Sequence, residues 1–99
     1  MLYAVLFTDA ADRAEMRGRL MPAHLGFLEQ NRERIRAAGP LLESDSGGAG
    51  GLWLVESDSP EAVTELVQAD PFWPTGLRKT VRILRWARVF ADGRRLAGG

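Results

Sequence analysis

Two stretches of this sequence predict strands that are apolar on both faces, and this feature constrains the fold most. Successive side chains of a strand point to opposite faces of its sheet. In residues 2–8 one face carries Leu2, Ala4 and Leu6, and the other Tyr3, Val5 and Phe7. In residues 80–90 one face carries Val81, Ile83, Ala87 and Val89, and the other Leu84, Trp86 and Phe90.

A layer of helices covers only one face of such a sheet, so the second face must meet another sheet, a ligand, or both. Large exposed apolar patches are rare on stable monomers. Two sheets packed face to face would bury this surface, and a chain of 99 residues is marginally stable alone. We therefore expect a homodimer in which the helix-free faces meet.

The segment that follows the first strand has a helical pattern with one interruption. Pro22 lacks an amide hydrogen, so the pattern predicts a kink or break over residues 18–22. A second helical stretch is expected to run to about Ala38. It would end at Gly39-Pro40, because this dipeptide commonly follows the last turn of a helix.

The second half of the chain predicts three more strands and a second helix. Ser59 is suited to cap that helix, with Pro60 at its first position and Asp70-Pro71 at its end. Residues 44–51 are rich in glycine and predict a flexible connection, without the lysine of a phosphate-binding loop. The remaining strands are expected over residues 40–44, 52–56 and 80–90.

The order of elements is strand, helix, strand, strand, helix, strand. This order is typical of an α+β ferredoxin-like fold, βαββαβ, with a four-stranded antiparallel sheet and two main helices on one face. The length fits one domain, which we place at residues 1–91, followed by a flexible C-terminal tail over residues 92–99.

Composition excludes several kinds of site. The chain has no cysteine, which excludes disulfides, thiolate metal sites and cysteine nucleophiles. A single histidine, His24, excludes a metal site with several histidines from one chain. We therefore expect no metal and no cofactor.

Charge and hydropathy indicate which partners to expect. Thirteen basic and thirteen acidic residues balance, which argues against nucleic-acid binding. The basic run from Arg78 to Arg95 fits solvated strand edges better than an anion site. No segment approaches the roughly 18 apolar residues of a membrane span, and residues 1–7 do not resemble a signal peptide. We expect a soluble cytoplasmic protein with no membrane partner.

His24 is the main candidate for chemistry. At 3.6 residues per turn it shares a helix face with Leu28, Ile35 and Ala38, so it lies in the apolar stripe. A partly buried histidine needs a hydrogen-bond partner and responds to that partner's charge. A core histidine with a purely structural role is the alternative.

Two charged residues are candidates to work with His24. Asp70 could orient the imidazole and hold its tautomer, or could simply end the second helix. Arg17 lies two helical turns before His24 and could hold an anionic group of a substrate, or could be solvated.

Several short motifs, in this order and spacing, resemble the YciI-like (YCII-related) family over roughly residues 1–90. They comprise Arg17 followed by Pro22-Ala23-His24-Leu25, Gly39-Pro40-Leu41, Ala69-Asp70-Pro71-Phe72 with Gly76-Leu77, and Val81, Ile83 and Trp86. The resemblance implies a ferredoxin-like fold and a dimeric α+β barrel. It also implies an active site built on His24 and Asp70. Where family members often carry arginine before Pro-Ala-His, this chain has Met21, so its anion contact would differ.

The leading functional hypothesis is a cofactor-independent enzyme. His24 would be the general acid or base and Asp70 its partner, in elimination or isomerisation of a small cyclic or aromatic-derived compound. Arg17 and Phe72 are the candidate substrate-binding residues. Aromatic residues that could form apolar walls, or simply pack in the core, are Tyr3, Phe7, Phe27, Phe72 and Trp73. The alternative is a non-catalytic module that binds a small molecule in the same pocket.

Overall fold

A computed structural model describes residues 1–44 and 47–97 of the chain. Its sheet consists of β1 (Leu2–Asp9), β2 (Ile35–Ser44), β3 (Gly47–Glu56) and β4 (Arg78–Arg85), and its main helices are α1 (Glu15–Gln30) and α2 (Pro60–Ala69). Neighbouring strands are antiparallel in the order β2-β3-β1-β4. The predicted α+β ferredoxin-like arrangement is confirmed. In these ranges no helix is long and apolar enough to cross a membrane.

The hydrophobic core lies between the sheet and the two helices. The predicted division of β1 is confirmed, because Tyr3, Val5 and Phe7 are buried while the alternate residues are only half-buried. Phe27 and Leu28 of α1 pack against this core. Its other buried members are Ile35, Trp53, Val55, Val63, Leu66 and Val67.

Helix α1 is continuous through Pro22, so the predicted break over residues 18–22 is wrong. Proline removes the hydrogen bond to the carbonyl four residues earlier, which here belongs to Gly18. Gly18 is exposed, so water can satisfy that carbonyl. A single 3-10 turn, Ala11–Arg13, precedes the helix.

The end of α1 was also predicted wrongly, because the helix stops at Gln30 rather than near Ala38. Asn31 ends it by donating from its side-chain amide to the carbonyl of Phe27 at 2.8 Å. Asparagine is a known helix-ending residue, and here its signal outweighs that of Gly39-Pro40.

Strand β2 therefore begins at Ile35 and includes Gly39-Pro40. Proline cannot donate to a strand ladder and is tolerated at a sheet edge. The order of strands places β2 at an edge, which explains the position of Pro40.

The glycine-rich segment is largely strand rather than a flexible connection. Residues 45 and 46 lie outside the described ranges, and β3 begins at Gly47. Gly50 has φ +148°, and a Cβ there would lie 1.8 Å from the carbonyl oxygen of Phe7. Only glycine allows this close pairing of β3 with β1.

Helix α2 begins and ends where the sequence predicts. The hydroxyl of Ser59 accepts a hydrogen bond from the amide of Ala62 at 3.1 Å, and Pro60 is the first helical residue. Asp70 follows the last residue of the helix. A 3-10 turn, Trp73–Thr75, and Gly76 with φ +80° then lead into β4.

The predicted last strand over residues 80–90 begins earlier and ends earlier, as Arg78–Arg85. A small hairpin follows, in which β5 (Phe90–Ala91) pairs with β6 (Arg94–Arg95) through Asp92 and Gly93, both with positive φ. This hairpin was not predicted. The flexibility of residues 92–99 and the domain boundary at 91 stay predictions, and residues 98 and 99 lie outside the described ranges.

The face of the sheet away from the helices is apolar, as the strand pattern predicts. A shallow depression on it is lined by Ala4, Leu52, Leu54, Leu84, Arg85 and Trp86. Leu84 and Trp86 are 41% and 45% exposed. We call this surface the open sheet face.

Candidate functional site

The structure brings His24 and Asp70 together across 46 residues of sequence. His24 lies on the face of α1 turned to the sheet and is 6% exposed, while Asp70 at the end of α2 is 2% exposed. The imidazole Nδ1 and the carboxylate Oδ1 are 2.8 Å apart. Buried groups at this distance form a directed hydrogen bond rather than a loose surface contact.

Asp70 is held by hydrogen bonds from three groups of the site. Besides His24, its Oδ1 accepts from the backbone amide of Phe72 at 3.2 Å, and its Oδ2 accepts from Arg78 at 3.1 Å. Burial alone would raise the pKa of Asp70. The hydrogen bond and charge of His24, the Phe72 amide and the charge of Arg78 outweigh burial and lower the pKa of this carboxyl below its ordinary value. Asp70 is therefore a carboxylate at neutral pH.

The ionised Asp70 determines which tautomer of His24 is present. A carboxylate can only accept hydrogen bonds, so the proton of a neutral imidazole must lie on Nδ1. Nε2 then carries the lone pair. His24 also lines a cavity, so its ring can present Nε2 to a bound molecule as a base.

Phe72 supports the imidazole from behind. The two rings are stacked with their centroids 4.3 Å apart, and Phe72 is fully buried. Phe72 was predicted to bind substrate, but it is not among the residues that line the cavity, and its ring contacts His24 instead. Stacking on one side and the Asp70 hydrogen bond at one edge fix the plane of the imidazole.

The cavity beside His24 has a volume of about 130 Å³. An engineered protein cavity of about 150 Å³ binds benzene, so this space suits a single ring. It is lined by Arg17, Met21, His24, Leu25, Leu28, Ala38, Gly39, Pro40, Gly51, Trp53 and Arg78. Most of the wall is apolar, with charged groups in one region, as in many small-molecule sites.

The aromatic wall differs from the prediction. Trp53 lines the cavity, which the sequence analysis did not propose. The aromatic residues that were proposed lie elsewhere in the described structure: Tyr3, Phe7 and Phe72 are buried, Phe27 packs against the core, and Trp73 is exposed.

Arg17, a predicted substrate-binding residue, lines the cavity but is already paired. Its NH2 donates to Oδ2 of Asp9, and its guanidinium lies 5.7 Å from the centre of the Phe72 ring. Asp9 was not predicted as part of the site. Its other oxygen, Oδ1, is buried without a hydrogen-bond partner among the described residues.

Arg78 is the main functional candidate that the sequence analysis missed. It was counted among solvated residues of the basic run, yet its side chain is 3% exposed and bonded to Asp70. The register of β1 and β4 shifts between Thr8 and Asp9, so that Arg78 pairs with Asp9. This bulge turns Arg78 from the open sheet face to the face that carries Phe7.

The burial of His24 was predicted correctly, but two of the three residues expected on its helix face are not in the helix. Leu28 shares the helix face as expected, whereas Ile35 and Ala38 belong to β2. Ala38 still lines the cavity, because residues of both β2 and α1 contribute to its wall.

A metal site needs several ligands that converge. Within residues 1–44 and 47–97, no three histidine, cysteine, aspartate or glutamate side chains come together in such a group. The polar side chains that line the cavity are the imidazole of His24 and the guanidinium groups of Arg17 and Arg78. These groups suit proton transfer and anion binding.

Known proteins with related sequences, and one solved structure, match most of this chain. The chain is 33% identical over 98 residues to Protein YciI of Escherichia coli O6:H1 and to Protein YciI of Shigella flexneri, covering 91% of this chain and 100% of each relative. A solved structure also matches, with a TM-score of 0.77 and 28% identity over 87% of this chain and 93% of the other. It is 5-chloro-2-hydroxyhydroquinone dehydrochlorinase (TftG) from Burkholderia phenoliruptrix AC1100, in complex with 2,5-dihydroxybenzoquinone.

The resemblance drawn from the sequence motifs is confirmed at the level of the family. The YCII-related domain matches residues 1–87, a range that includes both helices, all four strands of the main sheet and every residue of the site described above. The chain belongs to the YCII-related family.

Proposed function

We propose that this protein is a cofactor-independent enzyme that moves a proton on a small, single-ring compound. His24 is the general base and then the general acid, and Asp70 is its positioning partner. This proposal rests on the buried hydrogen bond between His24 and Asp70, which lies beside a cavity large enough for a single ring.

The chemistry follows from the state of the two groups. Nε2 takes a proton from the substrate, so a C–H or O–H bond breaks and an N–H bond forms. The resulting imidazolium is stabilised by Asp70, and the electron pair moves onto the ring or a ring oxygen. Loss of a leaving group from the ring then gives elimination, whereas return of the proton at another carbon gives isomerisation.

The structural comparison supports a reaction of this kind. TftG is a dehydrochlorinase, which removes the elements of hydrogen chloride, and its structure holds a single-ring compound with two hydroxyl groups. Transfer of this substrate class to the present chain is part of our proposal. Met21 and Trp53 border the space in which the ring would lie.

The first test is a reaction screen. We expect the wild-type protein, in deuterated water with hydroxylated and chlorinated single-ring compounds, to exchange a ring hydrogen or to release chloride. Proton NMR and a chloride electrode measure the two reactions, and His24→Asn is the matched control. If no compound reacts but some bind, the non-catalytic module is correct and the proposed enzyme is not.

We further propose that the protein is a cytoplasmic homodimer that pairs through the open sheet face. That face exposes Leu84 and Trp86 beside Leu52 and Leu54. Contact between two such sheets would complete the dimeric α+β barrel implied by the sequence motifs.

Light scattering at micromolar concentration should therefore give about twice the chain mass of 10.9 kDa. We expect Leu84→Asp to give a monomer, because it places a charge in the buried interface. Leu25→Asp is the control, since Leu25 is similarly exposed at 48% but lies on the helix layer. A monomeric wild-type protein, or a dimer unaffected by Leu84→Asp, would contradict this interface.

A further inference from the structure

We infer that Arg78 holds an oxygen of the substrate that is, or becomes, negatively charged, so that the cavity selects single-ring compounds with an acidic hydroxyl group. This inference rests on the proposed function of the His24 site. It adds the residue that binds the oxygen and defines the class of ligand.

Arg78 is a buried cation that uses only part of its hydrogen-bonding capacity. Its NH2 donates to Asp70, and its Nε is buried without a partner among the described residues. A guanidinium has five N–H donors, and a buried donor without an acceptor is destabilising. Burial lowers the pKa of Arg78, although the charge and hydrogen bond of Asp70 oppose this effect. An additional acceptor would therefore be bound favourably.

The cavity is the space from which that acceptor can come. Arg78 lines it together with Gly51. A Cβ on Gly51 would lie 3.5 Å from NH1 of Arg78 and 3.3 Å from the carbonyl oxygen of Gly39. Glycine at this position thus keeps open the space next to the guanidinium.

The guanidinium is held in one orientation before any ligand arrives. Its central carbon lies 3.9 Å from the centre of the Phe7 ring, and 5.2 Å and 5.8 Å from the Phe72 and Trp53 rings. Aromatic contacts of this kind stabilise the cation and fix its plane. A fixed donor set binds a developing anion without reorganising.

Arg17, the anion contact expected from the sequence, is less suited to this role. Its charge is paired with Asp9, and 26% of its side chain is exposed, so its other donors can reach water. Arg78 is 3% exposed and shares its carboxylate with His24. Arg17 is better placed to border the cavity, while Arg78 contacts the charged atom.

The balance of charge explains why an acidic hydroxyl suits the site. With neutral His24, the two carboxylates Asp9 and Asp70 balance the two guanidinium groups of Arg17 and Arg78. When the hydroxyl transfers its proton to Nε2, the O–H bond breaks and the N–H bond forms. The imidazolium then pairs with Asp70 and the oxyanion with Arg78, so each new charge has a neighbour of opposite sign.

The test uses 4-nitrophenol, whose phenolate form absorbs visible light while its neutral form does not. We expect the wild-type protein to bind this probe and to increase its visible absorbance at a pH where the free probe is mostly neutral. Arg78→Lys keeps the charge but removes the planar donors, and should weaken binding of the phenolate by about 10- to 100-fold. Arg17→Gln should have a smaller effect than Arg78→Lys.

Gly51→Ala tests the same contact without altering the ion pairs. The φ of Gly51 does not restrict this position to glycine, and the 3.3 Å approach to the Gly39 carbonyl oxygen requires a backbone shift of only a few tenths of an ångström, so the variant should fold. The added methyl group should reduce affinity for the probe by about 10-fold. Gly26→Ala is the matched control, because a Cβ there meets nothing within 4 Å.

Three results would overturn the assignment of Arg78: no binding of the probe to the wild type, binding in the neutral form only, or phenolate binding that Gly51→Ala and Arg78→Lys leave unchanged. Because the probe need not react, this test is separate from the proposed catalysis. Phenolate binding that depends on Arg78, in a protein without turnover, supports the inference and contradicts the enzyme. Turnover that depends on His24, with probe binding that does not depend on Arg78, would support the enzyme and contradict the inference about Arg78.

Discussion

Replacement of His24 by asparagine should reduce turnover by about 100- to 10,000-fold while the protein still folds, because a positioned general base contributes that much to rate. The asparagine amide can take the place of Nδ1–H and donate to Asp70, whose Oδ1 now lies 2.8 Å from the imidazole. It offers no base at the position of Nε2. The free energy of unfolding should fall by about 1–2 kcal/mol for this imperfect replacement.

His24→Gln is the informative companion. Its longer side chain carries the amide toward the position of Nε2 and leaves Oδ1 of Asp70 without its donor from α1. We expect it to be as inactive as the asparagine variant and less stable than it, by about 1–3 kcal/mol for the lost hydrogen bond to a buried carboxylate. Steady-state kinetics and urea unfolding measure the two effects. An asparagine variant with near-normal turnover, or one that cannot fold, would contradict the catalytic role.

The elements that sequence predicted well carry strong local signals. Ser59 with Pro60 defines the start of α2, and Asp70-Pro71 defines its end, through groups within three residues of each position. The alternation of β1 predicts which of its residues share a face, because the two faces of a strand follow from the covalent geometry of the backbone. Each of these predictions needs no knowledge of distant parts of the chain.

Two of the wrong predictions, the break in α1 and its end at Gly39-Pro40, depended on where a proline lies in the fold. Pro22 is tolerated because Gly18 is exposed, and Pro40 is tolerated because β2 is an edge strand. Neither condition can be read from the residues around the proline. Asn31, which ends α1, was a local signal that the sequence analysis did not use.

The candidate site was predicted in part for the same reason. His24, Asp70 and Arg17 stood out by residue type and by their motifs. Arg78 has no distinguishing local pattern, because its position depends on a register shift between β1 and β4. One signal was available: a basic residue eight positions after Asp70, at the start of the last strand.

Asp70→Asn should destabilise the protein by about 3–5 kcal/mol at neutral pH. The carboxylate is the common acceptor for His24, the Phe72 amide and Arg78, and it is 2% exposed. An asparagine keeps the size of the side chain but removes the charge and one acceptor. Arg78 would then be a buried cation without its partner. Chemical unfolding of the two proteins measures the difference.

The pH dependence gives this prediction a second, independent readout. Because the pKa of Asp70 is lowered on folding, an unfolded chain binds a proton near pH 4 that the folded protein does not bind. The contribution of the Asp70 carboxylate to stability is therefore complete above about pH 5. It is lost as the pH falls, first through the pKa of Asp70 in the unfolded chain and then through its pKa in the folded protein. The gap in unfolding free energy between wild type and Asp70→Asn should narrow on acidification. Asp12→Asn, at an exposed position, is the control, and its difference from wild type in unfolding free energy should not narrow in this way. If the difference between wild type and Asp70→Asn stays constant from pH 7 to about pH 3, the Asp70 carboxylate is not stabilised by the site.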